Sequence, residues 1–465
     1  MAAVPQSIPR ALGGLPFLGH VWPLWRDPLG FVKSLRDTGD LVRVDLGTLP
    51  VVFVNSAELA HAVMVTHGPS FEKGRLFDRM RPLVGDGLAT AGGKVHRRHR
   101  RLMQPAFHQA RIAGYCDIMS DRARDLVDSW EPGQLIAVEQ VMGEFAVGTL
   151  AATMFSAEIG RPAVEAVRRD VPIILKNMLL RAVSPQILDR LPIPPNRRFD
   201  AAAARLRQVI DDVIAATRHA GDTDQPDLLS TLLAARDADT GEALSDTEVR
   251  DELVTILFAG TETTASTLSW AFHEIGRHPE VEARLLAEVD AVVGDEPVRF
   301  EHVAQLAYLR RVLDEVIRLH GVTLLMRRAT EPVELGGVTL PAGTEVAFSL
   351  YALHQDPRLY TEPERFDPDR WLPERRDGLP REAFVPFGSG ARKCIGDAFS
   401  WAEITITLAT VLARWRLRPV PGHTTREATA AMPHPDHLPM TVVPRDGQDP
   451  GVVAGTGGSG VRRRG

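Results

Sequence analysis

From Leu41 to Leu46 apolar and polar positions alternate, and after Gly47-Thr48-Leu49-Pro50 the chain is apolar again from Val51 to Val54. A period of two on both sides of a glycine-containing break predicts a β-hairpin, and so a small sheet near the N-terminus. Elsewhere the period lengthens. Residues 201–218 and 300–320 repeat apolar side chains three and four apart, which predicts helices punctuated by Pro and Gly. A further hairpin is predicted across residues 333–350, with turns at Gly336-Gly337 and Pro341-Ala342-Gly343. Ser245-Asp246-Thr247-Glu248 is a capping box, and the helix it opens runs to His278-Pro279, about nine turns at ~3.6 residues each. The polar stretch 219–227 reads as a surface loop that does not divide the chain, and no internal repeat is visible. The pattern predicts a mainly α chain with a minor β portion, a single domain over residues 1–445, and a Gly-rich disordered tail over 446–465.

The chain has 465 residues, 44% of them hydrophobic, enough to bury a large core. A net charge of −6 argues against a general nucleic-acid binder, although Arg462-Arg463-Arg464 closes the tail. Cys116 and Cys394 are the whole cysteine content, so a disulfide framework is excluded and a reducing cytoplasm suits a free thiol. Cys116 reads as packing. Residues 1–10 contain two prolines and no apolar stretch of signal-peptide length, and no run approaches the ~18 residues that span a bilayer. The expectation is a soluble, cytoplasmic protein without a membrane anchor.

Candidate chemistry centres on Phe387-Gly388-Ser389-Gly390-Ala391-Arg392-Lys393-Cys394-Ile395-Gly396, a glycine-lined loop just before a helix. A helix N-terminus with Arg392 and Lys393 beside it lowers a thiol pKa. Gly388, Gly390 and Gly396 remove side chains where backbone turns sharply and approaches a flat cofactor. The residues alone also fit a turn around a buried structural cysteine. In the long helix, Ala259-Gly260-Thr261-Glu262-Thr263-Thr264 places a glycine that costs ~1 kcal/mol where better helix formers would serve. Ala259 and Thr263 share a face, a Thr hydroxyl bonding the carbonyl four residues back opens a groove, and an adjacent carboxylate and hydroxyl can relay protons. Ordinary helix packing, with Thr263 at the surface and Glu262 in an ion pair, accounts for the same hexapeptide. Glu315 and Arg318 lie one turn apart and can pair. His96 and Arg100 are four apart and can address one anion, or merely form a solvated basic face.

The cysteine loop resembles the haem-binding loop of the cytochrome P450 family (Phe, two residues, Gly, one, Arg, one, Cys, one, Gly) at every fixed position, and residues 259–264 are similar to that family's oxygen-binding helix motif. The resemblance implies haem b (iron protoporphyrin IX) with Cys394 as its axial ligand, bordered by Phe387, Gly388, Gly396, Ala259 and Gly260. It implies propionate contacts from His96, Arg100, Arg392 and Arg327, with Arg328 a competing register, and Thr263 and Glu262 as the proton-delivery pair. Glu315 and Arg318 would be joined by a later arginine. Arg365 and Arg370 compete, and Arg370 stands where the family motif falls relative to Cys394. The implied fold is a triangular prism with haem between the long helix and the cysteine loop.

The implied activity is monooxygenation of an unactivated C–H bond with O2. No Gly-rich dinucleotide fingerprint and no Cys-x-x-Cys is present, so electrons are expected from a separate ferredoxin and ferredoxin reductase. These would dock on a basic patch of Arg97, Arg98, Arg101 and Lys393. Phe77, Met80, Phe258, Ala259, Thr323 and Leu324 are candidate substrate contacts, and an apolar small molecule suits them. The chain looks like soluble actinobacterial members of the family that hydroxylate cyclic sesquiterpenes in terpenoid antibiotic biosynthesis. Fatty-acid or macrolide hydroxylation and, in another class, a haem-thiolate sensor or carrier are the alternatives. A monomer is expected.

Overall fold

The computed structural model describes residues 4–155, 161–183, 191–220, 227–237, 239–429 and 431–446. Most of the predicted tail, from residue 447 on, lies outside them. Four helices position the site: α1 (Gly93–Met103), α2 (Asp246–Arg277), α3 (Ala307–Leu319) and α4 (Asp397–Arg414). The 32 residues of α2 start at the predicted capping box, where Ser245 Oγ accepts from the Glu248 amide and Glu248 Oε2 accepts from the Ser245 amide at 2.8 Å. At 1.5 Å per residue it extends for about 48 Å, buried along most of its length. The helix expected at 201–218 is observed as Pro194–Ala220. The one expected at 300–320 is two, Phe300–Val303 and α3. Tertiary contact explains the break: Glu288, on helix Pro279–Val292, accepts the Tyr308 and Leu309 amides at 2.6 and 2.8 Å, capping α3 from outside the segment.

A five-stranded sheet forms from β1 (Leu41–Leu46), β2 (Leu49–Val54), β3 (Phe71–Lys73), β4 (Leu325–Ala329) and β5 (Glu345–Phe348), in the order β1-β2-β5-β4-β3. The predicted first hairpin is present, with Leu46 opposite Leu49 across Gly47 at φ +61°. Val52 and Val54 pack on one face, Val51 and Phe53 on the other, so the sheet separates two apolar clusters. The second hairpin is shorter than expected: Val333–Leu335 pairs with Val338–Leu340 across Gly336-Gly337, whose φ values of +57° and +75° demand glycine. Its supposed third leg, β5, pairs instead with β2 and β4, because all four of its residues are buried and a central strand covered on both faces suits them. Among the described residues no helix is long and apolar enough to cross a membrane.

One buried ion pair ties this frame to the cysteine loop. Glu315 and Arg318 are fully buried and bidentate, at 2.8 and 2.9 Å. Glu315 also accepts from the Asp367 amide, Trp371 Nε1 and Arg370 Nε at 3.0, 3.1 and 3.3 Å. Arg318 donates to the carbonyls of His354, Pro363 and Arg365. Arg370 is therefore the arginine that reaches the pair, while the Arg365 side chain sits at the surface against Glu362. Removing one partner of a buried pair strands the other. Glu315→Ala is expected to lower the unfolding free energy by about 3–5 kcal/mol in a denaturant titration, whereas Arg365→Ala changes it by less than about 1 kcal/mol.

Candidate functional site

Residues 387–396 leave the meander held by Glu315 and close on themselves, the Cys394 amide donating to the Phe387 carbonyl at 2.9 Å. Gly388 and Gly390 have φ +70° and +71°, and a Cβ on Gly390 would lie 2.3 Å from the Met64 carbonyl oxygen. Both positions require glycine. Gly396 does not: its φ is −92° and a Cβ there would meet nothing closer than 3.8 Å, so no sharp turn explains it. The Phe387 ring stacks edge-on against Trp401 at 5.5 Å.

Cys394 is accessible on one side yet deep in the protein. Burial raises its thiol pKa above the ordinary value. The Gly396 amide, Arg100 and Lys393 act against that, and Asp397 reinforces it. This reverses the direction expected from the helix N-terminus and its cations: Lys393 is engaged by Asp397 at 2.5 Å, and desolvation outweighs what remains. The polypeptide alone favours a thiol here, and a metal cation at the sulfur would be needed to hold the thiolate.

On α2 a stripe is open. Ala259 is exposed and Thr263 half-buried in a helix otherwise sunk in the core, and Thr263 Oγ1 donates to the Ala259 carbonyl at 2.9 Å. Gly260 serves another contact, since a Cβ there would lie 2.9 Å from Leu150 on helix Val138–Met154. It lets two helices approach. Glu262 points away from Thr263, accepting the Ala431 amide at 2.9 Å, and burial raises its pKa.

Five basic residues converge near the loop. Arg327 is 5% exposed and donates to the Met326 carbonyl, and among the described residues no carboxylate is set against it. Burial and Arg392 push its pKa down to about 10. Arg392 donates to the Ala91 carbonyl at 3.0 Å, and its acidic neighbour Glu72 is already paired with Arg328. His96 is buried, and burial with Arg392, Lys73 and Arg100 holds its pKa at about 3. Arg100 donates to the Lys393 carbonyl. The Arg327/Arg328 ambiguity disappears, because Arg328 is bound by Glu72, Asp78 and Glu345. Among the described residues no unpaired carboxylate is set against Arg327 and Arg392, and a basic cluster of this kind, with neutral His96 beside it, fits a ligand carrying carboxylates such as the haem propionates.

Sequence reasoning missed two groups. Lys73, at the end of β3, has its pKa forced well down by burial, Arg327 and Arg392, and its ammonium lies 4.1 Å from the Phe77 ring centre. It belongs to the cation cluster, but a single lysine in a strand shows no pattern. Glu403 on α4 is 2% exposed, bonded to Thr264 Oγ1 at 3.3 Å, and its Oε1 has no partner among the described residues. Its one signal is an acid amid the apolar run of α4.

The expected docking patch is largely neutralised. Arg98 pairs with Glu248 at 2.7 Å, Arg101 with Asp237 and Asp239 at 2.8 and 2.6 Å, and Lys393 with Asp397. Of the substrate candidates, Phe77 and Met80 are half-buried and Ala259 is open. Phe258 packs in the main core and Leu324, partly buried, against one of the sheet's two cores. Thr323 is buried with an unpartnered hydroxyl.

The sequence profile of the Cytochrome P450 family matches residues 9–437. Cyclooctat-9-en-7-ol 5-monooxygenase of Streptomyces melanosporofaciens is 43% identical, over 95% of this chain and 96% of its own. Cyclooctatin synthase of the same organism is 43% identical over 89% and 90%, and pentalenene oxygenase of Streptomyces avermitilis 38% over 94% and 97%. The crystal structure of the cytochrome P450DA heme domain superposes with a TM-score of 0.83 at 27% identity, covering 94% of this chain and 98% of that one.

Burial raises the Glu403 carboxyl to about 8. Folded, it keeps its proton to about that pH; unfolded, it ionises near its ordinary value, so the folded state holds the extra proton between the two and stability falls as pH rises through this window. Glu403→Gln is expected to remove this loss. Its stability advantage over the native chain should grow by up to ~1.4 kcal/mol per pH unit between about pH 5 and 8, read from denaturant midpoints; a pH-independent difference would contradict the assignment.

Proposed function

Because the chain belongs to the cytochrome P450 family and is a haem-dependent monooxygenase, we propose that it hydroxylates an unactivated C–H bond of a cyclic terpenoid. The substrate is a hydrocarbon such as pentalenene or an alcohol derived from such a skeleton. The observation that carries this reading is identity of 38% to 43%, over 89% to 95% of the chain, to a cyclooctat-9-en-7-ol 5-monooxygenase, a cyclooctatin synthase and a pentalenene oxygenase. The sesquiterpene expectation thereby widens, since two of these relatives are named for cyclooctat-9-en-7-ol and for cyclooctatin.

The cofactor, haem b, supplies dioxygen activation when bound, with an electron-donating thiolate ligand that favours O–O cleavage. Every other task falls to the chain. Cys394 would hold the iron through its sulfur, which the Gly396 amide steadies. Arg327, Arg392 and Arg100 would balance the propionates with Lys73 beside them, and neutral His96 would donate an N–H. The open stripe of Ala259 and Thr263 leaves room for O2, and Thr263 presents a hydroxyl whose own proton is parked on the Ala259 carbonyl. It can therefore accept a proton on one side and pass one on, with Glu262 the nearest carboxyl in sequence to resupply it. Electrons come from a ferredoxin and its reductase in the cytoplasm, and terpenoid antibiotic biosynthesis is the setting that suits such a product. The exposed hydroxyl stripe has no use in a sensor or electron carrier.

Two measurements test this. Titrating the ferric protein with cyclic terpenes, fatty acids and macrolides is expected to shift the haem from low to high spin for terpenes alone, and silence towards every terpene would sink the substrate assignment. Thr263→Ala is expected to cut product formed per electron consumed by at least about tenfold with substrate affinity unchanged; unaltered coupling would remove Thr263 from proton delivery.

A further inference from the structure

A second stripe runs along α2, one residue round from the open one. Glu262, Ser266 and Trp270 are spaced by four and share a face. All three hold one small hairpin, β6 (Glu427–Ala428) with β7 (His434–Pro435). Glu262 Oε1 accepts the Ala431 amide at 2.9 Å, and its carboxylate is also bonded by the backbone of Met432. Ser266 Oγ and Trp270 Nε1 both donate to the Pro433 carbonyl, at 2.6 and 2.8 Å. From the opposite side the Thr323 amide donates to the Ala431 carbonyl at 2.9 Å, and Glu427 is tied to His320 and Tyr351 at 2.7 and 3.0 Å. The hairpin tip is thus clamped between α2 and the segment after α3, with the open stripe of Ala259 and Thr263 about 100° away round the same helix.

We propose that Glu262 is a positioning residue for substrate: as a hydrogen-bond acceptor it fixes the hairpin tip at Ala431 and Met432 against Thr323, and so sets which C–H bond is presented. The proposal rests on the groove of Ala259 and Thr263 being the substrate side of the haem. It gives Glu262 a duty that needs an oxygen acceptor rather than an acid. Acceptor strength matters because the adjacent backbone N–H groups of exposed Ala431 and buried Met432 would otherwise lose this partner. Ser266 and Trp270 hold the carbonyl of Pro433, whereas Glu262 holds the amides on the Ala431 side, so the contacts do not substitute for one another.

The two duties separate by substitution. Glu262→Gln keeps an acceptor oxygen and removes the acid; Glu262→Ala removes both. Hydrogen exchange of the Ala431 and Met432 amides is read on the ferric holoenzyme without turnover, and the positions of hydroxylation on a cyclic terpene are read with turnover. In Glu262→Gln, slow exchange and the native product pattern are expected to persist while product per electron falls. In Glu262→Ala, exchange at both amides is expected to quicken at least tenfold and hydroxylation to spread over several positions. Native-like exchange in Glu262→Ala, or fast exchange in Glu262→Gln, overturns the proposal, as does the same scrambled product pattern in both variants. Because exchange needs no substrate, failure of every terpene to turn over, with exchange as expected, would overturn the substrate reading and leave the clamp standing.

Discussion

The bidentate pair of Glu315 and Arg318 is the constraint on which the rest of the site depends. Two charges with no solvent contact are costly to bury, and the structure offsets that cost by occupying their remaining hydrogen-bonding capacity. Those extra partners belong to the meander that leads to the cysteine loop: Asp367, Arg370 and Trp371 on the carboxylate, and the carbonyls of His354, Pro363 and Arg365 on the guanidinium. His354 then accepts the Val385 amide and Tyr360 donates to the Ala383 carbonyl, which brings the chain to Phe387. The position of Cys394 is the far end of this series of bonds.

The second organising element is α2, whose stripes carry different duties because successive residues are rotated by about 100°. Ala259 and Thr263 open onto the groove, Gly260 admits Leu150, Glu262 with Ser266 and Trp270 holds the hairpin tip, and Thr264 meets Glu403. Threonine and glycine weaken a helix as a helix. Here that weakness is accepted where the groove and the helix contacts need small or hydroxylated side chains. The basic cluster completes the site, because among the described residues no unpaired carboxylate is set against Arg327 and Arg392.

Much of this was legible in the residues. The first hairpin, the capping box of α2, the loop before α4 and the Thr263 bond to Ala259 each follow from local spacing. What was not legible depends on distant partners. The break before α3 comes from Glu288, 20 residues upstream of Tyr308. The strand Glu345–Phe348 joins the large sheet because of what covers it, not because of its own turn. Burial raises the Cys394 thiol against expectation because it outweighs Arg100 and a Lys393 already paired with Asp397. Lys73 and Glu403 are single residues, and a single residue becomes a signal when its surroundings are known.

The reaction proposed for this chain places one atom of dioxygen on a cyclic terpenoid at a haem that Cys394 would hold. Turnover under isotopically labelled dioxygen, with a ferredoxin, its reductase and a cyclic terpene, tests this most directly. The alcohol formed is expected to carry one labelled oxygen atom, and Cys394→Ser to form none. An alcohol whose oxygen came from water, or equal product from Cys394→Ser, would contradict it.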